Sequence, residues 1–527
     1  MNKMVLISLL PLLVAGSTKS NSFNYANNLN RALNDKLPQM VTKTFNGDSK
    51  SQIGFTWRTE APDRDGVLQV VEKSINDFSN EKTITKKFSN RDFKVLTSSE
   101  KPSCDTGVIY KCLIDGLKEN TTYIYKVGSE GNFKEGSFKT SGTNEKFNFV
   151  HLSDPQGKTE VDYKPYTKML AHVSEKKPEF LAFTGDFVDN GKKSHESNSV
   201  MQWMNALDTP HEYLKDTLIA PVSGNHENGD YQFSSRFNLL PGDGDDGLSG
   251  NYYSFTYNDA YFLGINTNDT LNPTSPEATG LSDEQMNFIK ADLEKHKNYK
   301  WKFALMHKGI FDPGEHSSNH QYEDGKYHDY DIDKIRKQLV PIFDEYHIDV
   351  VFQGHDHLYS LSYPTMQDST NYKVGNYTEE TRVIDGNEYV MKHVENGTIY
   401  TNISTASGSK NYVITDYDKD VFFFEKEEGA TGQMYSNYTI EGNNLYVDTY
   451  KYNPSTDESK IYYRWGLTKE NIQKPDEEHN PPIDSDTDKK PQSSNKGLII
   501  GLSVGVPMAI IGLSFAGVLI AKKRKGK

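Results

Sequence analysis

Cysteine is nearly absent from this chain: Cys104 and Cys112 are the only two in 527 residues. Neither sits in a context suited to a nucleophile, which excludes thiol catalysis as the main chemistry. In an oxidising compartment their close spacing would allow one small-loop disulfide, with two inert thiols as the alternative. A basic stripe is also missing. The net charge is −14, which argues against a nucleic acid or other polyanion as partner and leaves the acidity as a solvated surface. No solenoid-type repeat runs through the chain. What is present is ordinary globular composition, 35% hydrophobic and 12% aromatic, with 32 Tyr and 26 Phe favouring β structure. The length leaves room for about two to four domains.

The two ends point to a compartment. Residues 1–17 carry Lys3, an apolar run and then Gly16 and Ser17, which reads as a secretory signal. Residues 497–521 hold no charge, and as a helix they would span roughly 37 Å, enough to cross a bilayer. The basic tail 522–527 follows, so the expectation is a single-pass type I protein with its bulk extracellular or lumenal, at the cell surface or in an acidic vesicle. A lipid-anchor signal would instead finish on its apolar stretch. Gly497, Gly501 and Gly505 make small-xxx-small steps that would let two such helices pair in a homodimer. Residues 471–496, rich in Pro, Asp, Lys and Ser, read as a stalk linker. Sequons at Asn120, Asn268, Asn376, Asn396, Asn402 and Asn437 are compatible with lumenal exposure.

Between the ends lie two patterns. Residues 35–142 alternate short strand-like runs (54–58, 66–71, 107–112, 122–127) with turns and no helical period, which predicts a β-sandwich. From residue 146 to 470 strands alternate with helices. Apolar runs at 147–152, 180–184, 217–222, 302–306 and 349–353 read as buried strands. Helices are predicted over 163–177 and 331–347, and another after Leu281, where Ser282 and Gln285 form a capping box. Beyond 365 the pattern returns to strands, at 397–400, 412–414, 435–440, 445–450 and 461–465, expected to complete a second sheet.

Just past the carboxyl ends of the five apolar runs come five polar clusters: Asp154 to Gln156, Gly185-Asp186, Gly224-Asn225-His226-Glu227, His307 and Gly354-His355-Asp356-His357. Strand ends are where α/β proteins gather a site. Carboxylates, an amide and imidazoles are the donors of a two-metal hydrolytic centre, in which paired ions roughly 3.5–4 Å apart activate water and polarise a phosphate ester. In that arrangement Asp186 is the candidate bridge. Asp154 and His357 complete the first metal position; Asn225, His307 and His355 complete the second. His226 would point at substrate as proton donor or oxyanion contact. Glu227 and Asp356 would orient imidazoles. His316 and His320 would line the substrate pocket, and the alternation of strand residues turns His151 and Ser153 away from Asp154. Taken singly, a Gly-Asp after a strand reads as a turn and a lone histidine as a structural residue.

In this order the set Asp154, Gly185-Asp186, Gly224-Asn225-His226-Glu227, His307 and Gly354-His355-x-His357 resembles the calcineurin-like metallophosphoesterase superfamily. Residues 113–140 resemble a fibronectin type III-like module of the kind that precedes the catalytic domain in the purple acid phosphatase-like branch. Over about 35–465 the resemblance implies a four-layer α/β/β/α sandwich, a dinuclear centre of divalent or mixed-valence Fe, Zn or Mn ions, and hydrolysis of small phosphate esters. The expected fold class is thus α+β / α/β, a β-sandwich followed by that catalytic sandwich and a C-terminal transmembrane helix. Two positions depart from the pattern. Gln156 stands where many relatives have a histidine ligand, and offers only a neutral amide oxygen to a metal. Asp189 stands where purple enzymes carry the tyrosine bound to ferric iron, so that chromophore should be absent. The expected activity is that of a membrane-anchored acid phosphatase-type phosphomonoesterase. The alternatives are a phosphodiesterase or nucleotide pyrophosphatase on the same metals, or an adhesion or receptor protein keeping the fold with a degenerate site.

Overall fold

The structure, a computed structural model, describes residues 37–59, 65–88, 107–129, 131–190, 197–227, 232–239, 252–317 and 329–470. The expected signal, stalk, membrane helix and basic tail, together with Cys104 and His320, lie outside these residues. Among the described residues no helix is long and apolar enough to cross a membrane.

The N-terminal strands are β1 (Gln39–Thr44), β2 (Ile53–Thr59), β3 (Gly66–Glu72), β4 (Ile84–Phe88), β5 (Val108–Ile114), β6 (Thr122–Ser129) and β7 (Asn132–Lys139). One sheet orders them β4-β3-β6-β7, and β1, β2 and β5 face it. Alternating apolar residues meet between the layers: Trp57 stacks on Tyr110 at 4.8 Å and meets the edge of Phe88 at 5.5 Å. This is the expected β-sandwich. Its second layer is not self-contained, because β1 pairs in parallel with a catalytic strand at Thr44↔Ile219.

The catalytic strands are β8 (Lys146–Leu152), β9 (Phe180–Phe183), β10 (Leu218–Pro221), β11 (Tyr253–Tyr257), β12 (Ala260–Gly264), β13 (Trp301–Lys308), β14 (Val350–Gly354) and β15 (Tyr359–Ser362). There follow β16 (Thr365–Asp368), β17 (Asn371–Val374), β18 (Tyr377–Ile384), β19 (Asn387–Val394), β20 (Ile399–Ile403), β21 (Phe424–Glu428), β22 (Gln433–Glu441), β23 (Asn444–Asn453) and β24 (Glu458–Thr468). An 11-stranded sheet runs β18-β19-β24-β23-β22-β8-β9-β10-β1-β2-β5, and a 7-stranded sheet runs β11-β12-β13-β14-β20-β15-β21. Each has a parallel centre, β8-β9-β10 in one and β12-β13-β14-β20 in the other.

Side-chain alternation sorts the core into layers. Phe262, Phe303, Leu305, Val350 and Phe352 of the smaller sheet join Phe149, Phe180 and Tyr438 of the larger one in a shared core. Their neighbours Leu263, Ala304, Met306 and Val351 point the other way, toward Ile289 and Leu293 of helix Asp283–His296 and Ile335, Leu339 and Phe343 of helix Tyr330–Tyr346. On the far side of the larger sheet, helix Glu160–Ser174 buries Tyr163, Tyr166, Met169, Leu170 and Val173. The layers are helix, sheet, sheet, helix.

Several local expectations change. Helix Glu160–Ser174 starts earlier than residue 163 because Thr159 and Asp162 close a capping box there. Ser282 caps its helix by accepting from the Gln285 amide at 3.2 Å. The Gln285 side chain does not return to the cap; it bonds the Asn266 backbone and Asp269. The strand expected at 412–414 is a loop, since Tyr412 stacks on His357 at 4.8 Å and its amide donates to the His357 carbonyl at 3.1 Å. Strands β22, β23 and β24 extend the first sheet rather than complete the second. Cys112 is buried on β5, its thiol within 3.5 Å of the Leu113 carbonyl, and the disulfide expected with Cys104 involves a residue outside the described ones.

Phe149 lies at the centre of the shared core, stacked on Phe180 at 4.9 Å and on Tyr438 at 5.1 Å, with the edges of Phe262 and Phe352 against it. Phe149→Ala is expected to lower stability by about 3–5 kcal/mol, because neither sheet can collapse into the space. Urea unfolding followed by tryptophan fluorescence measures this.

Candidate metal centre

All five clusters converge where the carboxyl ends of β8, β9, β10, β13 and β14 meet. The chain turns sharply there. Asp154 (φ 51°), Asp186 (φ 51°) and His355 (φ 76°) all occupy the left-handed region, which costs a non-glycine residue of order 1 kcal/mol or more. Strain at three candidate ligands together marks a site whose side-chain directions matter more than backbone comfort. Gly224 shows how tight the packing is, since a Cβ there would collide with Asp186 Oδ1.

Apart from His316–Asp329–His355, which shares only His355 with the predicted ligands, the donor atoms form two sets, Asp154–Asp186–His357 and Asp186–His307–His355, each with its ligand atoms within 4.8 Å of one another. Asp186 belongs to both, as expected of a bridge. Its Oδ1 lies 3.4 Å from His307 Nε2, and its Oδ2 accepts from Gln156 Nε2 at 2.9 Å. Backbone carbonyls fix the imidazoles. His307 Nδ1 donates to Thr184 O at 2.7 Å, so its Nε2 presents a lone pair toward Asn225 Oδ1, 2.9 Å away. His357 Nδ1 donates to Lys410 O at 3.2 Å, leaving its Nε2 facing Asp154 Oδ1 at 3.1 Å. Acceptors therefore face acceptors at both sets, an arrangement that a cation satisfies. The residues fit a two-metal centre.

Charge agrees with that fit. Burial and the neighbouring His316 lower His355 to about 3, so its imidazole is neutral and free to ligate. Burial would raise Asp186, but the His307 and His226 imidazoles hold it well below the usual carboxylate range. Asp186 is a carboxylate at any working pH.

His226 is half-buried at the rim, its Nδ1 donating to the Asp189 carbonyl at 2.7 Å and its Nε2 lying 3.9 Å from Asp186 Oδ2. Its Nε2 thus faces the shared Asp186 carboxylate. Glu227 and Asp356 act differently from expectation. Glu227 accepts from the backbone amides of Gly224, Asp186 and Val188 at 2.7–3.1 Å, tying the loops after β9 and β10 together. Asp356 likewise takes the amides of His316 and Ser317. Both are buried among N–H groups rather than imidazoles. His316 does reach the site, with its ring 4.3 Å from that of His355. Ser153 is not turned away: its hydroxyl bonds Asp154 Oδ2, because the left-handed turn at Asp154 breaks the strand alternation. His151 stays structural, bonded to Thr184 at 3.0 Å and kept neutral by burial, which lowers it to about 3.

Three of the sequon asparagines are corrected. Asn268, Asn402 and Asn437 are buried and cannot carry a glycan in the folded chain. Asn402 Nδ2 donates to the carbonyls of Gly354 and Asp356 at 3.2 and 2.7 Å, and Asn268 Nδ2 to that of Gly224 at 2.9 Å. Both brace ligand loops. Asn437 bonds Asn148 inside the sheet at 3.0 Å. Asn120 and Asn376 are exposed and Asn396 half-buried.

Several contributors went unread in the sequence. Thr405 and Ser407, just after β20, donate to the carbonyls of Asp154 and Gln156 at 2.8 Å each. They repeat the strand-then-polar-cluster pattern of the five named sets, which was the available clue. Asp329 accepts from His316 Nδ1 at 2.7 Å, lies 3.3 Å from His355 Nε2 and pairs with Lys308 Nζ at 2.8 Å. Nothing local in the sequence marked it.

Residues 147–359 match the calcineurin-like phosphoesterase family, and residues 38–149 match the purple acid phosphatase N-terminal domain. The chain thus carries a calcineurin-like phosphoesterase domain behind a purple acid phosphatase N-terminal domain. A phosphoenolpyruvate phosphatase of Allium cepa is 24% identical over 287 residues, 51% of this chain and 54% of that protein. An uncharacterized protein of Mycobacterium tuberculosis is 26% identical over 157 residues, 27% of this chain and 28% of its own. The chain therefore spans about half or less of these curated relatives' length. The purple acid phosphatase of yellow lupin (Lupinus luteus) seeds superposes with a TM-score of 0.58 at 16% identity, over 82% of this chain and 74% of that one. PhoD does so with a TM-score of 0.57 at 12% identity, over 82% and 91%. At these identities the two structures share the fold.

Asp329, 3.3 Å from His355 Nε2, is placed to orient that imidazole as the carboxylate behind a candidate ligand. Asp329→Asn is expected to weaken metal retention by about 10- to 100-fold with the fold intact, read by metal content after dialysis alongside a circular dichroism melt.

Proposed function

We propose that this chain is a metal-dependent phosphoesterase of acid phosphatase type, acting on small phosphate monoesters and held at a membrane with its catalytic domain outside the cytosol. The observation that carries the chemistry is the shared carboxylate of Asp186, which bridges two sets of acceptor atoms. Two divalent ions held by Asp154, Asp186, Asn225, His307, His355 and His357 would supply an acidified water and offset charge on the phosphoryl oxygens.

The chain's own residues do the rest. His226, with its Nδ1 proton spent on the Asp189 carbonyl, turns Nε2 to the cleft. When charged, it can donate from that atom to a phosphate oxygen or to the leaving oxygen. His316, anchored by Asp329 with its ring 4.3 Å from that of His355, stands beside the second metal position, where it can bind a second phosphate oxygen. Tyr412 covers His357 and keeps bulk water from that ligand. The apolar run at 497–521 with its basic tail, and the leader-like residues 1–17, support the membrane placement.

Purified full chain is expected to hydrolyse an aryl phosphate monoester faster than an aryl diester, and a chelator should abolish both rates. Asp186→Asn should lose hydrolysis, and His226→Ala should lower kcat by about 10²- to 10⁴-fold. A faster diester rate would redirect the reading to a phosphodiesterase. Absence of chelator-sensitive hydrolysis in the metal-loaded chain would sink the proposal in favour of a binding protein.

A further inference from the structure

Gln156 and Asp189 stand at the two positions where the family resemblance calls for other residues, and one side chain joins them. Lys410 Nζ donates to Gln156 Oε1 at 2.8 Å and pairs with Asp189 Oδ1 at 2.9 Å. The Gln156 backbone is anchored as well, its carbonyl accepting from Ser407 and Ser409 hydroxyls at 2.8 and 2.7 Å. A primary amide has one acceptor end and one donor end. With its oxygen held by Lys410, Gln156 turns its nitrogen inward. Nε2 lies 2.9 Å from Asp186 Oδ2 and 3.2 Å from His357 Nε2. The opposite orientation would set the amide oxygen against a carboxylate and an imidazole lone pair, and the amide nitrogen against an ammonium. Donor and acceptor matching therefore selects the orientation seen.

Its consequence falls on one metal position only. Asp186 and His357 are two of the three ligands in the set with Asp154, and the Gln156 amide hydrogens are directed at the lone pairs an ion would use. At the other position the donor seen at Asp186 Oδ1 is the His226 backbone N–H at 3.0 Å, fixed in the loop, rather than a side-chain amide placed between the carboxylate and an imidazole. There His307 Nε2 faces Asn225 Oδ1 at 2.9 Å and Asp186 Oδ1 at 3.4 Å, with its own proton turned away to Thr184.

We infer that Gln156, held by Lys410, is a latch over the metal position formed by Asp154, Asp186 and His357, so that an ion there must displace an amide donor and is bound more weakly than the ion held by Asp186, Asn225, His307 and His355. The inference rests on the two-metal reading of the site. It makes the ion at the Asp154–Asp186–His357 position exchangeable, so the fully loaded centre would form only when divalent metal is plentiful.

The test is Mn²⁺ titration of the chelator-stripped full chain by calorimetry, with bound metal counted by mass spectrometry and folding checked by thermal melts. No substrate is involved. Wild type should bind one ion at least about 10-fold more tightly than the second. Lys410→Met, which frees the amide to turn its oxygen inward, should narrow that gap. Gln156→His, which replaces the latch by a ligand, should bring the two affinities within a few-fold. Two ions of equal affinity in wild type, or a gap unchanged in both variants, would overturn the latch while leaving the two-metal centre standing. Failure of folded wild type and folded Gln156→His to bind any ion would overturn the two-metal reading and the latch with it.

Discussion

The arrangement depends on an unmet demand for positive charge. Asp154, Asp186, Asn225, His307, His355 and His357 bring lone pairs within a few ångströms of one another, and most of these groups are buried. The protons that might have separated them are committed elsewhere, to the carbonyls of Thr184 and Lys410. Such a cluster repels itself unless cations enter it. The surroundings are therefore organised to hold acceptors together before any ion arrives. Strained backbone at Asp154, Asp186 and His355 is one means, and Glu227, Asn268 and Asn402, which splint the ligand loops, are another.

That splinting is possible because of how the two sheets meet. Ligands come from both, Asp154, Asp186 and Asn225 from the larger sheet and His307 and His355 from the smaller. The aromatic core around Phe149 fixes the spacing between the sheets and thereby the distance from Asp186 to His307. Close packing makes such a core resist gradual sliding, so the centre inherits its precision from residues that never touch it. The N-terminal sandwich adds to the same rigidity by donating β1, β2 and β5 to the larger sheet.

Much of this was legible because buried parallel strands announce themselves as apolar runs, and the site residues follow those runs directly. The structure brings Asp154, Asp186, Asn225, His226, His307, His355 and His357 close to one another. What failed to read was whatever depends on distant partners. A sequon describes three residues and nothing of their burial, so Asn268 and Asn402 were taken for glycan acceptors while they brace ligand loops. The alternation rule assigned Ser153 a direction that a single left-handed residue reversed. Residues 412–414 carry strand-like side chains, yet stacking on His357 outweighs that local preference. Lys410 and Asp329 have no local mark, since their meaning comes from groups far away in the chain.

Lys410 also explains why the two departures from the family pattern occur together. An ammonium beside a metal position is unfavourable unless its charge is offset. Asp189 supplies that offset at 2.9 Å, and a tyrosine at the same position would not, being neutral at ordinary pH unless a metal takes its proton. With Asp189 present the lysine is tolerated; with the lysine present the Gln156 amide is held nitrogen-inward. Gln156 and Asp189 are then joined through Lys410 into one hydrogen-bonded unit. A site built this way keeps the shared Asp186 carboxylate and the tight second position unaltered, and concentrates its divergence on the ion that is easiest to lose.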